Sequence, residues 1–320
     1  MDTLRNSPGQ SRGHASTSAP LNQAAEGSRS ALVEELLAWR AQALQAAQAA
    51  GISPQEVDLL LREHLGWGPL ERLLGRPPVG KGDPLAEVEA LWRRRLEERI
   101  PLQYLLGKVE WAGLSLQVTP AVLIPRPETE LLVEQASLWL QANPLPPGSP
   151  FADLGTGSGA IAIALAYRHP QLQLLAVDVS PAALAVAAAN VTDHGLQERV
   201  HLLEGSWFTP LDPWRGRLRG LVSNPPYIPR GELDHLMPEV RLHEPREALD
   251  GGEDGLVHLR VLIEGAPDYL APNSFWAVEV MQGQAPWVAE QLRAQGCYQQ
   301  IQVHRDLAGI ERVVSACFVG

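Results

Sequence analysis

The chain has 320 residues and is 45% hydrophobic, enough for one large α/β domain and a smaller one. A net charge of −11 and a pI near 5.3 exclude a protein built mainly to hold duplex DNA, which needs clustered Lys and Arg. The two cysteines, Cys297 and Cys317, fall in no Cys-x-x-Cys spacing, and the nine histidines form no His-x-x-x-His pair. The expectation is therefore buried thiols in a reducing, cytoplasmic compartment, with no disulfide frame and no metal. No apolar run reaches the ~18 residues of a membrane span.

Residues 1–29 are rich in Ser, Gln, Gly and Ala and poor in large apolar groups. Such a segment cannot offset its ordering entropy and reads as a disordered tail. Arg5 and Arg12 in an acid-poor stretch are compatible with a transit peptide. Residues 30–100 read as a small helical bundle. Ser30 is a candidate N-cap for a helix over 31–50 that Gly51 ends, with Leu32, Leu36, Leu37 and Leu44 inward. Ser53-Pro54 opens a second helix carrying Leu59, Leu60, Leu61 and Leu65. Asp83-Pro84 opens another, with Val88, Leu91, Trp92 and Leu96 inward and Arg93–Arg95 as a solvated face. The bundle reads equally as a cap on the next domain or as a partner-docking module.

Residues 101–125 change character. Tyr104–Gly107, Val109–Trp111, Leu114–Val118 and Val122–Ile124 are short β-like runs broken by Gly107 and Gly113, which predicts a linking hairpin with Trp111 in its core. Arg126-Pro127-Glu128-Thr129-Glu130 then opens a helix that Thr129 can cap.

From Phe151 strands and helices alternate. Strands are predicted over 151–154, 172–177, 200–203, 218–223, 274–281, 298–304 and 312–319, and helices over 160–167, 182–190, 255–270 and 284–295. This alternation implies a mostly parallel sheet with helices on both faces, whose ligands bind outside the carboxyl ends of the strands. Gly155, Asp178, Trp207 and Asn224 each stand at or just past such an end.

Two stretches carry the chemistry. In Asp153-Leu154-Gly155-Thr156-Gly157-Ser158-Gly159 the glycines let the backbone turn tightly and let a ligand approach closely. Gly155-x-Gly157-x-x-Ala160 also satisfies a dinucleotide fingerprint, and Asp178 can serve the ribose of either cofactor. Asp153 favours S-adenosylmethionine, because an acid suits an ammonium better than a pyrophosphate. The second stretch is Asn224-Pro225-Pro226-Tyr227. Each proline fixes φ and lacks an N–H, and each pushes its predecessor to extended geometry. The carbonyls of Asn224 and Pro225 then form a fixed pair of acceptors beside the Tyr227 ring, suited to holding a planar –NH2 by both hydrogens.

Together these motifs resemble the class I methyltransferases that act on amino groups conjugated to a π-system, which include adenine-N6 nucleic-acid enzymes and glutamine-N5 protein enzymes. The flanking chain resembles the release factor glutamine methyltransferases. The resemblance lies in Leu123–Glu130, Tyr104–Gly107, Glu244–Leu249 with Gly251-Gly252 and Asp254-Gly255, and Asp306–Gly309 with Arg312–Val314. It runs from about residue 30 to the C-terminus.

The resemblance implies a Rossmann-like, mostly parallel seven-stranded sheet over 126–320 behind a helical bundle (30–100) and a β-hairpin (101–125). It implies S-adenosylmethionine as cofactor, held by Asp153, Gly155, Thr156, Gly157, Ser158, Gly159, Asp178, Trp207 and Asn224. The implied substrate is the glutamine of the Gly-Gly-Gln motif of peptide chain release factors, with Asn224, Pro225 and Tyr227 catalytic and Pro226, Arg126 and Glu128 beside them. Arg126, Glu128 and Glu130 read equally as a structural ion-pair cluster. Ser206 stands where such folds often place an acid or amide near adenine, followed by Trp207, a candidate to stack on it. A monomer acting on no nucleic acid and no membrane is expected. An adenine-N6 enzyme is the rival reading.

Overall fold

A computed structural model describes residues 19–78 and 82–320. The predicted disorder or transit peptide of residues 1–18 lies outside the described residues. The chain divides into two compact units, Met1–Glu97 and Glu98–Gly320.

The first unit is helical, with α1 (Ala19–Ala49), α2 (Gln55–Leu65), α3 (Pro69–Leu73) and α4 (Pro84–Glu97). The first helix begins at Ala19, so Ser30 lies inside it rather than capping it, and residues 19–29 are not a coil. Ala, Leu and Gln in that stretch are good helix formers, and Pro20 sits in the first turn where its missing N–H costs nothing. The buried stripe of α1 is Val33, Leu36, Trp39, Ala43 and Ala47, whereas Leu37 faces solvent. Small alanines at three- and four-residue spacing define the buried face as well as the leucines do. Helix α4 buries Val88 and Trp92 as expected, but Arg95 is only 4% exposed. Its guanidinium grips Glu56 of α2 at 2.6 and 3.0 Å, which is how a charge enters a small core.

The second unit opens with α5 (Leu102–Leu106), then the hairpin β1 (Lys108–Trp111) and β2 (Leu114–Gln117). Tyr104–Leu106 is thus a helical turn, not a strand, closed by Gly107 at φ 72°. The hairpin turn, Ala112-Gly113, has both φ values positive, the conformation that matches strand twist in two-residue loops. Val122–Ile124 forms no strand. A short 3-10 turn over Pro127–Thr129 leads into α6 (Glu130–Ala142), and the Thr129 side chain makes no capping bond.

There follow β3 (Ser149–Leu154), α7 (Ala160–Arg168), β4 (Leu172–Asp178), α8 (Pro181–Asp193), β5 (Val200–Glu204) and β6 (Leu218–Ser223). After a long loop containing α9 (Pro238–His243) come α10 (Val257–Gly265), β7 (Leu270–Glu279), α11 (Ala285–Gln295), β8 (Tyr298–Arg305) and β9 (Glu311–Phe318). The Ser180 side chain caps α8 as its Ser-Pro start predicts. The helix predicted over 255–270 is shorter, because Leu270 already belongs to β7. None of the described helices is long and apolar enough to cross a membrane.

The strand order is β5-β4-β3-β6-β7-β9-β8; neighbours from β5 to β7 are parallel, and β9 alone runs antiparallel, to both β7 and β8. Cys297 and Cys317, expected to be buried, are both only partly so. Both faces are covered. One apolar cluster joins α6, α7 and the hairpin to the sheet, and the other joins α10 and α11 to it. The chain winds outward from β3 through β4 and β5, then crosses back to β6 on the other side of β3. That reversal opens a crevice at the carboxyl ends of β3 and β6. The loops after these two strands are the glycine-rich loop and Asn224–Tyr227.

Candidate active site

A cavity of 370 Å³ lies over the switch point, lined by Gly155, Gly157, Asp178, Ser206, Trp207, Asn224 and Pro226 among others. Strand β3 delivers the glycine loop. Backbone N–H groups of Gly155 and Thr156 both donate to the Val177 carbonyl at 2.9 Å, which pins the turn to the neighbouring strand. Gly155, at φ 75°, packs where a Cβ would lie 3.7 Å from the Trp207 ring. The Asp178 carboxylate, at the end of β4, accepts the N–H groups of Gly157 (2.8 Å) and Ser180 (2.9 Å) and borders the cavity. Trp207 adopts φ 48°, a conformation a bulky residue takes only when its surroundings enforce it. Its ring meets His258 at 5.2 Å.

Asp153, Thr156, Ser158 and Gly159 lie behind this wall. Asp153 is fully buried. Its Oδ2 accepts the Thr156 hydroxyl at 2.6 Å and the Ala162 N–H at 3.1 Å. Burial pushes its carboxyl up to about 7, and Oδ1 has no hydrogen-bond partner among the described residues. An orphaned carboxylate oxygen beneath a glycine turn suits a cationic ligand group better than a phosphate, since a phosphate would meet like charge there. The residues present fit S-adenosylmethionine. The Ser158 carbonyl accepts from the buried Asn190, whose amide also exchanges hydrogen bonds with the Gln117 backbone. Asn190 thereby ties the hairpin to the glycine loop.

Strand β6 delivers Asn224. The Asn224 amide donates through Nδ2 to the Thr129 hydroxyl at 3.1 Å, which leaves Oδ1 as the outward acceptor. Pro225 is buried, and the half-buried Tyr227 donates its hydroxyl to Glu279 at 2.9 Å. Burial and the Glu279 carboxylate push the Tyr227 hydroxyl far up, so it stays protonated. Gln284 reaches across from the start of α11 and donates to the carbonyls of Tyr227 (2.9 Å) and Gly255 (3.2 Å).

The glycine-rich segment after Leu249 braces this loop from behind. Ile228 and Asp250 form a bridge, and Gly251 donates to the Ile228 carbonyl at 2.8 Å. A Cβ on Gly251 would lie 2.7 Å from the Tyr227 carbonyl carbon and 2.8 Å from its Cα. Backbone cannot yield there as a side-chain tip would. Gly251→Ala is expected to cost about 1–3 kcal/mol, the usual penalty for overpacking. It should also lower turnover by shifting Tyr227; thermal unfolding and a turnover assay check both.

Arg126 and Glu128 do not border the cavity. The Arg126 guanidinium donates to both oxygens of Glu244, at 2.6 and 2.8 Å, and Glu244 is 1% exposed. Glu128 is exposed, and Glu130 accepts the Ala112 N–H at 3.1 Å. Trp111 is buried in the hairpin and donates to the Arg126 carbonyl at 2.7 Å.

Residues 129–278 match the Methyltransferase small domain, and residues 35–107 match the PrmC N-terminal domain. The chain is 48% identical over 290 residues to the release factor glutamine methyltransferase of Synechocystis sp., covering 88% of this chain and 96% of that one. It is 49% identical to that of Gloeobacter violaceus, covering 86% and 94%. The chain belongs to the release factor glutamine methyltransferase family. Among solved structures, the hMettl16 catalytic domain superposes with a TM-score of 0.52 at 15% identity, covering 74% of this chain and 81% of that one, a likeness of fold alone. As a methyltransferase of this family the chain uses S-adenosylmethionine as methyl donor. The family motifs fall into two sets here. One holds the cavity floor, from Gly155 to Trp207, and the other holds the loop that carries Asn224.

Proposed function

We propose that this protein transfers a methyl group from S-adenosylmethionine to the side-chain amide nitrogen of the glutamine in the Gly-Gly-Gln motif of a peptide chain release factor. The observation that carries this reading is the placement of Asn224, with Oδ1 free, directly across the switch point from the glycine loop. The names of the relatives supply the substrate class.

Gly155, Gly157, Asp178 and Trp207 hold the cofactor, with Asp153 beneath them. S-adenosylmethionine supplies an electrophilic methyl on a sulfonium centre. An amide nitrogen is a poor nucleophile because its lone pair is delocalised into the carbonyl. Asn224 Oδ1 and the Pro225 carbonyl each accept one amide N–H, which fixes the nitrogen and favours a more pyramidal geometry. Tyr227 packs on the amide plane and excludes water. Proximity and orientation supply much of the acceleration, and the two carbonyls stabilise positive charge growing on nitrogen. A strong base is not required, since the proton leaves nitrogen after the methyl arrives. Glu128, exposed beside this loop, contacts the substrate, while Arg126 acts through Glu244.

The helical unit docks the release factor. The protein works as a monomer in the cytoplasm, and its two free thiols support the reducing compartment. The test offers labelled S-adenosylmethionine with a purified release factor and, separately, with duplex DNA. Label on the factor supports the proposal. Label on DNA supports adenine-N6 transfer instead, against the net charge of −11.

A further inference from the structure

Trp207 borders the cavity with its backbone at φ 48°, which a bulky residue keeps only where neighbours fix it. One neighbour is the glycine loop, since a Cβ on Gly155 would stand 3.7 Å from the Trp207 ring. Another is His258, the second residue of α10, which borders the same cavity. Its imidazole lies 5.2 Å from the Trp207 ring, centroid to centroid, with the planes inclined by 44°. Tilted ring pairs of this kind attract beyond the area they bury. Both side chains are half-buried, so each is free to swing toward solvent unless something holds it.

His258 is held. Its Nε2 lies 3.2 Å from the Asp250 carbonyl oxygen. A carbonyl only accepts, so Nε2 carries the hydrogen and donates it. Asp250 belongs to the segment that braces the Asn224 loop, where it bridges Ile228, and the Ile228 N–H donates to the Leu249 carbonyl at 3.0 Å. The turn leading from there into α10 packs on the same loop. Gly255, at φ 74°, leaves no room for a Cβ against the Tyr227 carbonyl. His258 therefore has one edge tied to the support of Asn224–Tyr227 and its ring against Trp207 on the cavity floor.

We infer that His258 is a positioning residue of the cofactor site, holding the Trp207 ring over the glycine loop and fixing its place relative to the loop that carries Asn224. This deepens the methyl-transfer reading and rests on its assignment of Trp207 to the cofactor. The donor side and the acceptor side of the reaction come from different strands, and His258 is a side chain that touches the wall of one and the brace of the other.

A residue that only filled space would act independently of Trp207, so a double-mutant cycle decides. The full chain and its His258→Ala, His258→Phe, Trp207→Ala and combined His258→Ala, Trp207→Ala variants would be titrated by calorimetry with S-adenosylhomocysteine, the product left after methyl transfer. Thermal unfolding of each would be followed beside it. His258→Ala is expected to weaken binding about tenfold, the scale of one aromatic pair. His258→Phe keeps a ring against Trp207 and should bind within about threefold of the unaltered chain. In the Trp207→Ala background, His258→Ala should cost little more. Wild-type affinity in His258→Ala or in Trp207→Ala, the same loss from His258→Ala with and without Trp207, or a loss in His258→Phe equal to that in His258→Ala would each overturn the inference. So would loss of cooperative unfolding in His258→Ala, because a positioning role leaves the fold intact. If the unaltered chain binds the cofactor product but transfers no methyl to a release factor, the functional reading fails rather than this one.

Discussion

Asn224→Ala is expected to lower kcat for methyl transfer by about 10²–10³-fold, the usual cost of deleting one preorganised polar contact to developing charge. Cofactor affinity should change little. The side chain is bonded to Thr129 on one side and borders the cavity on the other, so truncation removes an acceptor without collapsing the cavity floor. That floor is built by Gly155, Gly157, Asp178 and Trp207, none of which takes a side-chain hydrogen bond from Asn224. Calorimetry with S-adenosylmethionine, beside single-turnover transfer to a release factor, separates the two effects. Equal loss of binding and turnover would move Asn224 from the chemistry to the cofactor site.

Arg126→Met is expected to destabilise the second unit by about 3 kcal/mol, the lower end for breaking a buried ion pair by removing one partner. Arg126 is 34% exposed and loses little of its own, but Glu244, at 1% exposed, is left as an unpaired buried charge. The pH dependence has a definite sign. Burial already holds Glu244 above its ordinary value of 4.5 even with Arg126 lowering it, and removing Arg126 raises it further. A carboxylate raised in the folded state contributes stability below its unfolded pKa and loses it as pH rises through the folded one. The Arg126→Met penalty should therefore be full where Glu244 is ionised and shrink on acidification as its carboxyl takes up a proton. Denaturant midpoints across that range check it. Adding Glu244→Gln should flatten the profile, because nothing at that position then titrates.

The catalytic loop and the cofactor floor were legible in the sequence because each is a contiguous motif at a strand end. Gly155–Gly159 and Asn224–Tyr227 announce themselves through glycine and proline. The parallel alternation from Phe151 then places both at the same rim, and β6 spans the residues its apolar run predicts. The supports were not legible. Thr129 meets Asn224 across 95 positions and Tyr227 meets Glu279 across 52, and no local pattern marks a lone Thr or Glu as a partner. Gln284 and Asn190 were hidden for the same reason; their bonds span 57 and 73 positions. Thr129 at a helix start reads as a cap, yet its hydroxyl is turned to tertiary use. Short apolar runs mislead in another way. Tyr104–Leu106 has too few residues to show a period, so strand and helical turn look alike until Gly107 is seen at φ 72°. Arg95 reads as solvated beside Arg93 and Arg94, but Glu56, 39 positions away, draws it inward.

A single glutamine amide on a release factor is expected to receive the methyl. The most direct measurement is tandem mass spectrometry of a purified release factor after incubation with this protein and S-adenosylmethionine, beside a factor whose Gly-Gly-Gln glutamine is replaced by alanine. One methyl increment is expected, located on that glutamine side chain, and none on the alanine variant. A methyl on any other residue, or equal methylation of both factors, would contradict it.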